Sequence, residues 1–480
     1  MESLKMYING NWEDSHDKET INVNNPSTGE VMTTIPRGTK DDVDRAVKVA
    51  KDTFGSAEWR RVKPFERGRI LFDVAAQIKE DRDELARLES MDVGKPLTQG
   101  YADIDAAIRY FEFYGGAADK VMGDTIPIED GLIDYVIREP IGVTAHIVPW
   151  NYPIQILSRS VAAAIAMGNT VVVKSAEDTP LTAVKIAEFF DRTSLPKGVF
   201  NHVTGYGYEA GAALSSHPLI NHLTFTGSVG TGTAVAHAAT SNVVPVTLEL
   251  GGKSPNIVFS DCDIDKAVEG VVKAIIQNAG QTCSAGSRLV IEESFKETFL
   301  EKLIDRFKSL SVGPALDDYD LGPILNQKQF DRIMEFISSA EQEGTVVSGG
   351  KRVKYDQYEN ACYLEPTVID NLSPDSEAAQ EEIFGPVLSV FTFKDEDEAI
   401  EIANSTDYGL VTGIWTRDIN KAHLLMSRID SGQVFINNYG AGGGIQMPFG
   451  GYKKSGFGRE KGWIALYNYT QVKNVAIKFD

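Results

Sequence analysis

Between residues 142 and 239 the chain switches strictly between short β-branched apolar runs and longer amphipathic ones, and that switching leaves few folds open. Strands are expected at 143–148, 170–174, 199–204 and 223–225, and helices at 154–167, 181–190, 209–215 and 230–239. A strand buried on both faces reads as a continuous apolar run, and successive parallel strands need a crossover, most simply a helix. The pattern therefore predicts a Rossmann-like doubly wound parallel sheet in an α/β fold. Such a sheet holds its ligands at the carboxyl ends of the strands, so this part of the chain is expected to take the dinucleotide.

With 480 residues, of which 42% are hydrophobic and 24% charged, the chain is too long for one simple core, and two or three domains are expected. A formal net charge of -21 opposes adhesion to nucleic acid or acidic membrane surfaces, which excludes polyanion partners. No apolar run approaches the roughly 20 residues that cross a bilayer. Nor does an apolar signal region follow Met1-Glu2-Ser3-Leu4-Lys5, so a cytoplasmic location is expected. Cys262, Cys283 and Cys362 are too scattered for a disulfide framework and form no CxxC pair, which suits a reducing compartment and leaves no metal site to expect.

Short β-like stretches near 6–8 and 21–23 come first, followed by helical periodicity over 41–54, a long helix over 64–92, and more helix over 101–119. The segment 133–140 is rich in β-formers. A second α/β segment opens near Gly252, with a strand at 256–259 and a helix over 264–278 leading to Cys283. Residues 471–478 alternate as a strand with one apolar face does. Repeats and low-complexity linkers are missing from the sequence.

Cys283 lies in Gly280-Gln281-Thr282-Cys283-Ser284, and Glu249 lies in Glu249-Leu250-Gly251-Gly252-Lys253-Ser254-Pro255. A thiol becomes a strong nucleophile when a base or a helix N-terminus helps it ionise. Four further blocks join them: Pro149-Trp150-Asn151-Tyr152-Pro153, Phe225-Thr226-Gly227-Ser228, Glu381-Glu382-Ile383-Phe384-Gly385-Pro386 and Pro448-Phe449-Gly450-Gly451. Together they resemble the NAD(P)-dependent aldehyde dehydrogenase superfamily, from about residue 7 to residue 478. The resemblance implies an NAD-binding domain at 1–119 and 141–250 and a catalytic domain at 251–450. It implies also a small β oligomerisation and C-terminal element at 120–140 and 451–480, and hence a homodimer or homotetramer.

It implies the chemistry as well: attack of Cys283 on an aldehyde, hydride transfer, and hydrolysis of the resulting thioester. Asn151 would donate to the oxyanion with the Cys283 N–H, unless it serves as a helix cap. Glu249 would be the general base, and because CoA-acylating relatives generally lack it, water is the expected acyl acceptor. Lys174 and Glu177 would contact the adenosine ribose, where a carboxylate favours NAD over NADP. Gly227 and Ser228 open a helix suited to a pyrophosphate. Trp150, Glu382 and Phe384 complete the cofactor contacts.

Tyr152, Ile156 and Arg159 share a helix face beside Asn151, and with Phe449 they are the candidate substrate residues. An arginine at the Arg159 position holds a carboxylate in succinate-semialdehyde dehydrogenases, so an ω-carboxy-aldehyde is one expectation. The alternative is a structural pair with an acid such as Glu382 or Asp407. The glycine run within 439–447 points instead to a wide mouth for longer or aromatic aldehydes. A catalytically silent cofactor-binding protein and a side esterase activity are the remaining alternatives.

Overall fold

The computed structural model describes residues 2–440 and 444–479, among which lie two large sheets, a third of three strands, and three two-stranded ribbons. In the larger sheet five parallel strands run side by side, in the order Phe200–Val203, Thr170–Lys174, Val143–Ile147, His222–Thr226, Val246–Glu249. The chain lays the first three outward in one direction, then returns past Val143–Ile147 to add the other two. That reversal is a topological switch point, and a crevice opens there beyond the carboxyl ends. Antiparallel strands close both edges: Met6–Ile8 and Asn11–Glu13 on one side, Gly456–Phe457 on the other.

The second sheet has seven strands, parallel except for Thr345–Ser348 at one edge. Its central strands are Val387–Phe393, Arg288–Glu292, Pro255–Val258 and Val411–Trp415. The segments that immediately precede these strands hold Glu382 and Phe384, Cys283, Gly251 and Gly252, and Leu410. Thus the first sheet offers its carboxyl ends to the site, whereas the second offers its amino ends. The third sheet orders Thr470–Lys478, Leu132–Pro140 and Asp124–Ile126, and its first two strands pair from Thr470↔Pro140 to Lys478↔Leu132.

Several expectations need correction. The helix over 64–92 is two helices, Pro64–Glu80 and Arg82–Val93; Asp81, at φ -93 and ψ 17, ends one and starts the other. The helix over 209–215 begins as a wide turn, Gly207–Gly211, before Ala212–Ser215. Segment 451–480 is not all one element: Gly456–Phe457 pairs with Leu248 and Glu249 in the cofactor sheet, and only Thr470–Lys478 joins the small sheet. The helix over 264–278 stops at Ile276, and Asn278, Ala279 and Gly280 follow in left-handed conformations at φ 48, 51 and 74. Of the glycine run, 441–443 lie outside the described residues.

Candidate active site

Cys283 reaches the site through that left-handed turn. Only glycine adopts such φ values freely, so Asn278 and Ala279 are held there by their surroundings. A Cβ on Gly280 would come within 2.1 Å of the Gly385 oxygen, and Phe384 beside it is itself left-handed at φ 62. The two bends nest, and the contact requires glycine. Gln281 fixes the loop from the other side: its carboxamide donates to Asn278 O and Pro323 O and accepts from the Leu325 N–H.

Asn151 follows the strand Val143–Ile147 and precedes the helix Pro153–Ala166. Its side chain is buried and donates to Gln281 O at 3.0 Å, two residues from the thiol. Its own carbonyl accepts from Lys95 Nζ at 3.0 Å and Asn278 Nδ2 at 3.2 Å. Lys95 is in turn buried between Glu89 and Asp103 and lies over the Tyr152 ring. Asn151 is therefore held by Lys95 on one side and the 278–281 turn on the other, and it caps no helix: Tyr152 occupies that position, without a side-chain capping bond. Tyr152 shares a hydrogen bond of 2.8 Å with Thr282, next to the thiol.

A cleft of about 540 Å³ joins the two large sheets, and its walls include Trp150, Asn151, Gly227, Ser228, Cys283, Glu382 and Phe384. Thr226, from the same block as Gly227 and Ser228, also lines it, as do Gln329 and Arg332, to which no motif pointed. Trp150 and Phe384 meet edge to face at 5.3 Å. Glu382 accepts from the Gly252 N–H at 3.0 Å, and a Cβ on Gly251 would come within 2.3 Å of the same carboxylate. Burial lifts Glu382 to about 7. Ser228 caps the helix Val229–Thr240 by accepting from Thr231 N, and a Cβ on Gly230 would meet nothing within 4 Å. Lys174, at the end of its strand, pairs with Glu177 at 2.7 Å. Burial works against the Glu177 carboxylate, but the Lys174 charge overcomes it and keeps the group below its ordinary range.

Burial pushes the Cys283 thiol up to about 12, against the Arg159 charge, which favours the thiolate. Glu249 ends the strand Val246–Glu249, is 1% exposed, and finds no hydrogen-bond partner for either oxygen among the described residues. Burial, and after it the negative charge of Glu460, hold its carboxyl well above the ordinary range. Gly450 leaves it room: a Cβ there would stand 3.0 Å from Glu249 Oε1 and 2.8 Å from the Gly458 oxygen.

Arg159 points inward with Ile156, both buried, as the shared helix face predicts. It is ion-paired, but with neither Glu382 nor Asp407: its partner is Glu460, whose other oxygen accepts from Thr224 at 2.6 Å. Glu460 arrives by an antiparallel bridge to Phe449, which packs with Leu410 and Val411 against Cys283. The guanidinium lies 5.4 Å from the Phe449 ring.

A doubly wound parallel sheet whose switch-point crevice runs to a half-buried thiol is the frame of a dinucleotide-dependent oxidoreductase. The model of the aldehyde dehydrogenase family matches residues 12–475. Hydroxyisobutyraldehyde dehydrogenase of Mycolicibacterium austroafricanum is 43% identical, covering 99% of this chain and 94% of its own. A putative aldehyde dehydrogenase from Burkholderia cenocepacia, known from its crystal structure, is 50% identical with a TM-score of 0.97, covering 99% and 100% of the two chains. An aldehyde dehydrogenase from Bacillus cereus, solved in complex with NAD+, is 38% identical with a TM-score of 0.97, covering 100% and 97%. The chain belongs to the aldehyde dehydrogenase family, and it is an enzyme that oxidises aldehydes.

Proposed function

We propose that this enzyme uses NAD to oxidise an aldehyde to its carboxylic acid by way of a Cys283 thioester that water cleaves. The observation that carries the reading is the single cleft in which Cys283 and Asn151 meet the open helix end at Gly227–Ser228 and the carboxylate of Glu382. NAD is the cofactor of the solved B. cereus relative, and the residues here fit it. The open space at Gly230 suits a pyrophosphate, Glu177 suits the adenosine ribose, and the Glu382 oxygen not bonded to Gly252 suits the second ribose. When bound, NAD supplies a hydride acceptor.

Cys283 Sγ adds to the aldehyde carbon, making a tetrahedral centre whose oxygen takes hydrogen bonds from Asn151 Nδ2 and the Cys283 N–H. Loss of hydride from that carbon leaves the thioester. Glu249 then takes a proton from water as the water oxygen attacks the acyl carbon, which frees the acid and the thiol. The unsatisfied Glu249 carboxyl supports this role, since a base must bind its water rather than a fixed donor. Its presence also supports water over a second thiol as acceptor. Ile156, Tyr152 and Phe449 form the apolar approach, while Arg159 is committed to Glu460 and is not the free carboxylate anchor.

Exposed Ile133, Val472, Ile477 and Phe479 on the small sheet support pairing with a second copy of the chain, and three free thiols support a cytoplasmic setting. The described residues include no helix long and apolar enough to cross a membrane. NADH formation with NAD and a panel of aldehydes tests the reaction. The native enzyme should turn over and Cys283→Ala should not; appreciable turnover by the variant would remove Cys283 as nucleophile.

A further inference from the structure

Beside Phe449 stand two cations, and only one of them has an acid. Arg159 is neutralised by Glu460. Lys461 Nζ lies 5.1 Å from the centre of the same ring, and among the described residues it has neither an ion-pair nor a hydrogen-bond partner. Burial holds the carboxyl of the other acid nearby, Glu249, well above its ordinary range. Of the two cations at this ring, Arg159 thus has its acid, and Lys461 has none among the described residues.

The backbone holds Lys461 in place. Phe449 and Glu460 exchange hydrogen bonds of 2.6 and 2.8 Å, and the Gly462 N–H donates to Ile445 O at 2.8 Å, so residue 461 is clamped between two fixed neighbours. It sits there at φ 62, a left-handed conformation unfavourable for a lysine. Strain of this kind persists where the surroundings impose it, and it collects at functional sites. A solvated lysine would need no clamp. This one is half-buried against the Phe449 ring, where burial lowers its ammonium to about 8.

We infer that Lys461, and not Arg159, is the substrate-selecting cation of this enzyme, and that the preferred aldehydes carry an ionised carboxylate remote from the carbonyl. This inference rests on the aldehyde-oxidising reading of the same site. A carboxylate over the Phe449 ring edge meets an ammonium that has no competing acid, whereas at Arg159 it would have to displace Glu460. Phe449, packed with Leu410 and Val411 against Cys283, accommodates the apolar body between the two ends of such a substrate.

The test compares kcat/KM with NAD for succinate semialdehyde against butanal, and for para-carboxybenzaldehyde against benzaldehyde. The native enzyme should favour a carboxylated member, and Lys461→Met should lower that preference by roughly ten- to a hundredfold, chiefly through KM, as loss of a charge-assisted contact predicts. Lys461→Arg should restore part of it. Inhibition of the native enzyme by butyrate against butyramide reads the same contact without substitution, and butyrate should bind tighter. Oxidation of butanal and benzaldehyde with no carboxylate preference, or a preference that survives Lys461→Met, overturns the inference and leaves the aldehyde-oxidising reading standing. Failure to oxidise any of the four would overturn that reading itself.

Discussion

Replacing Glu460 by glutamine deletes one charge from a deeply desolvated ion pair near the thiol while keeping the side chain's shape. The two side chains are 7% and 3% exposed, so neither charge is shared with solvent. Removing one partner of a buried pair costs about 3–5 kcal/mol when the other is left uncompensated. Here a substitute is at hand. Burial, and after it the Glu460 charge, hold the Glu249 carboxyl above its ordinary range, and Glu249 acts on Arg159 in turn. Without Glu460 the repulsion is gone and Arg159 has a vacancy, so Glu249 should ionise as its new counter-ion. An opposite charge within about 4–6 Å lowers a carboxyl by roughly 1–3 units. The acid limb of thioester hydrolysis, which reports ionisation of Glu249, should therefore move down by about 1 unit or more.

Stability should follow with a definite sign. In the native chain a raised Glu249 pKa favours the folded state below the ordinary carboxylate range, and that advantage drains away as pH rises through the raised value. In Glu460→Gln the drain should shrink, so the variant's deficit against the native enzyme narrows as pH rises. The assay is single-turnover hydrolysis of the preformed acyl-enzyme across pH, with thermal inactivation followed over the same range. An acid limb that stays in place, or moves up, refutes the coupling of Arg159, Glu460 and Glu249.

Glu249→Gln should leave the first burst of NADH nearly intact and slow steady turnover by about 10²-fold or more, the span a general base contributes; an equal loss of burst and turnover in stopped-flow would move its main work to thiol activation. Asn151→Ala should cut kcat by roughly 10²–10³, the cost of one oxyanion donor, while circular dichroism stays native. A loss confined to KM would make Asn151 a binding residue.

Most of the cofactor half could be read from the sequence because its strands are buried on both faces and its crossovers are short. Residues 143–147, 170–174 and 222–226 needed little more than their β-branched runs. The break at Asp81 was hidden because helical periodicity continues across it and no glycine or proline marks it. The turn at 278–280 was hidden for a different reason: two of its three left-handed residues are not glycine, and the packing of 384–386 against Gly280, with the Gln281 bonds on the other side, imposes the shape. Candidate residues with strong local blocks, Cys283, Asn151, Glu382 and Phe384, do converge on one cleft. The partner of Arg159 could not be found this way, since Glu460 comes from the far end of the chain through a two-residue bridge without periodicity. Lys461 went unnoticed with it.

Gly450 carries a lesson about how such an enzyme falls silent. One methyl group at that position would press on Glu249 Oε1 and on the oxygen of Gly458, at a backbone φ of 153 that a side chain adopts only under strain. The carboxyl that must turn toward a water molecule would be wedged in place. A descendant of this chain could then keep its thiol, its carboxamide donor and its base, bind the dinucleotide as before, and stall at the acyl stage. Whether a relative is alive is thus written partly in a residue that has no functional group at all.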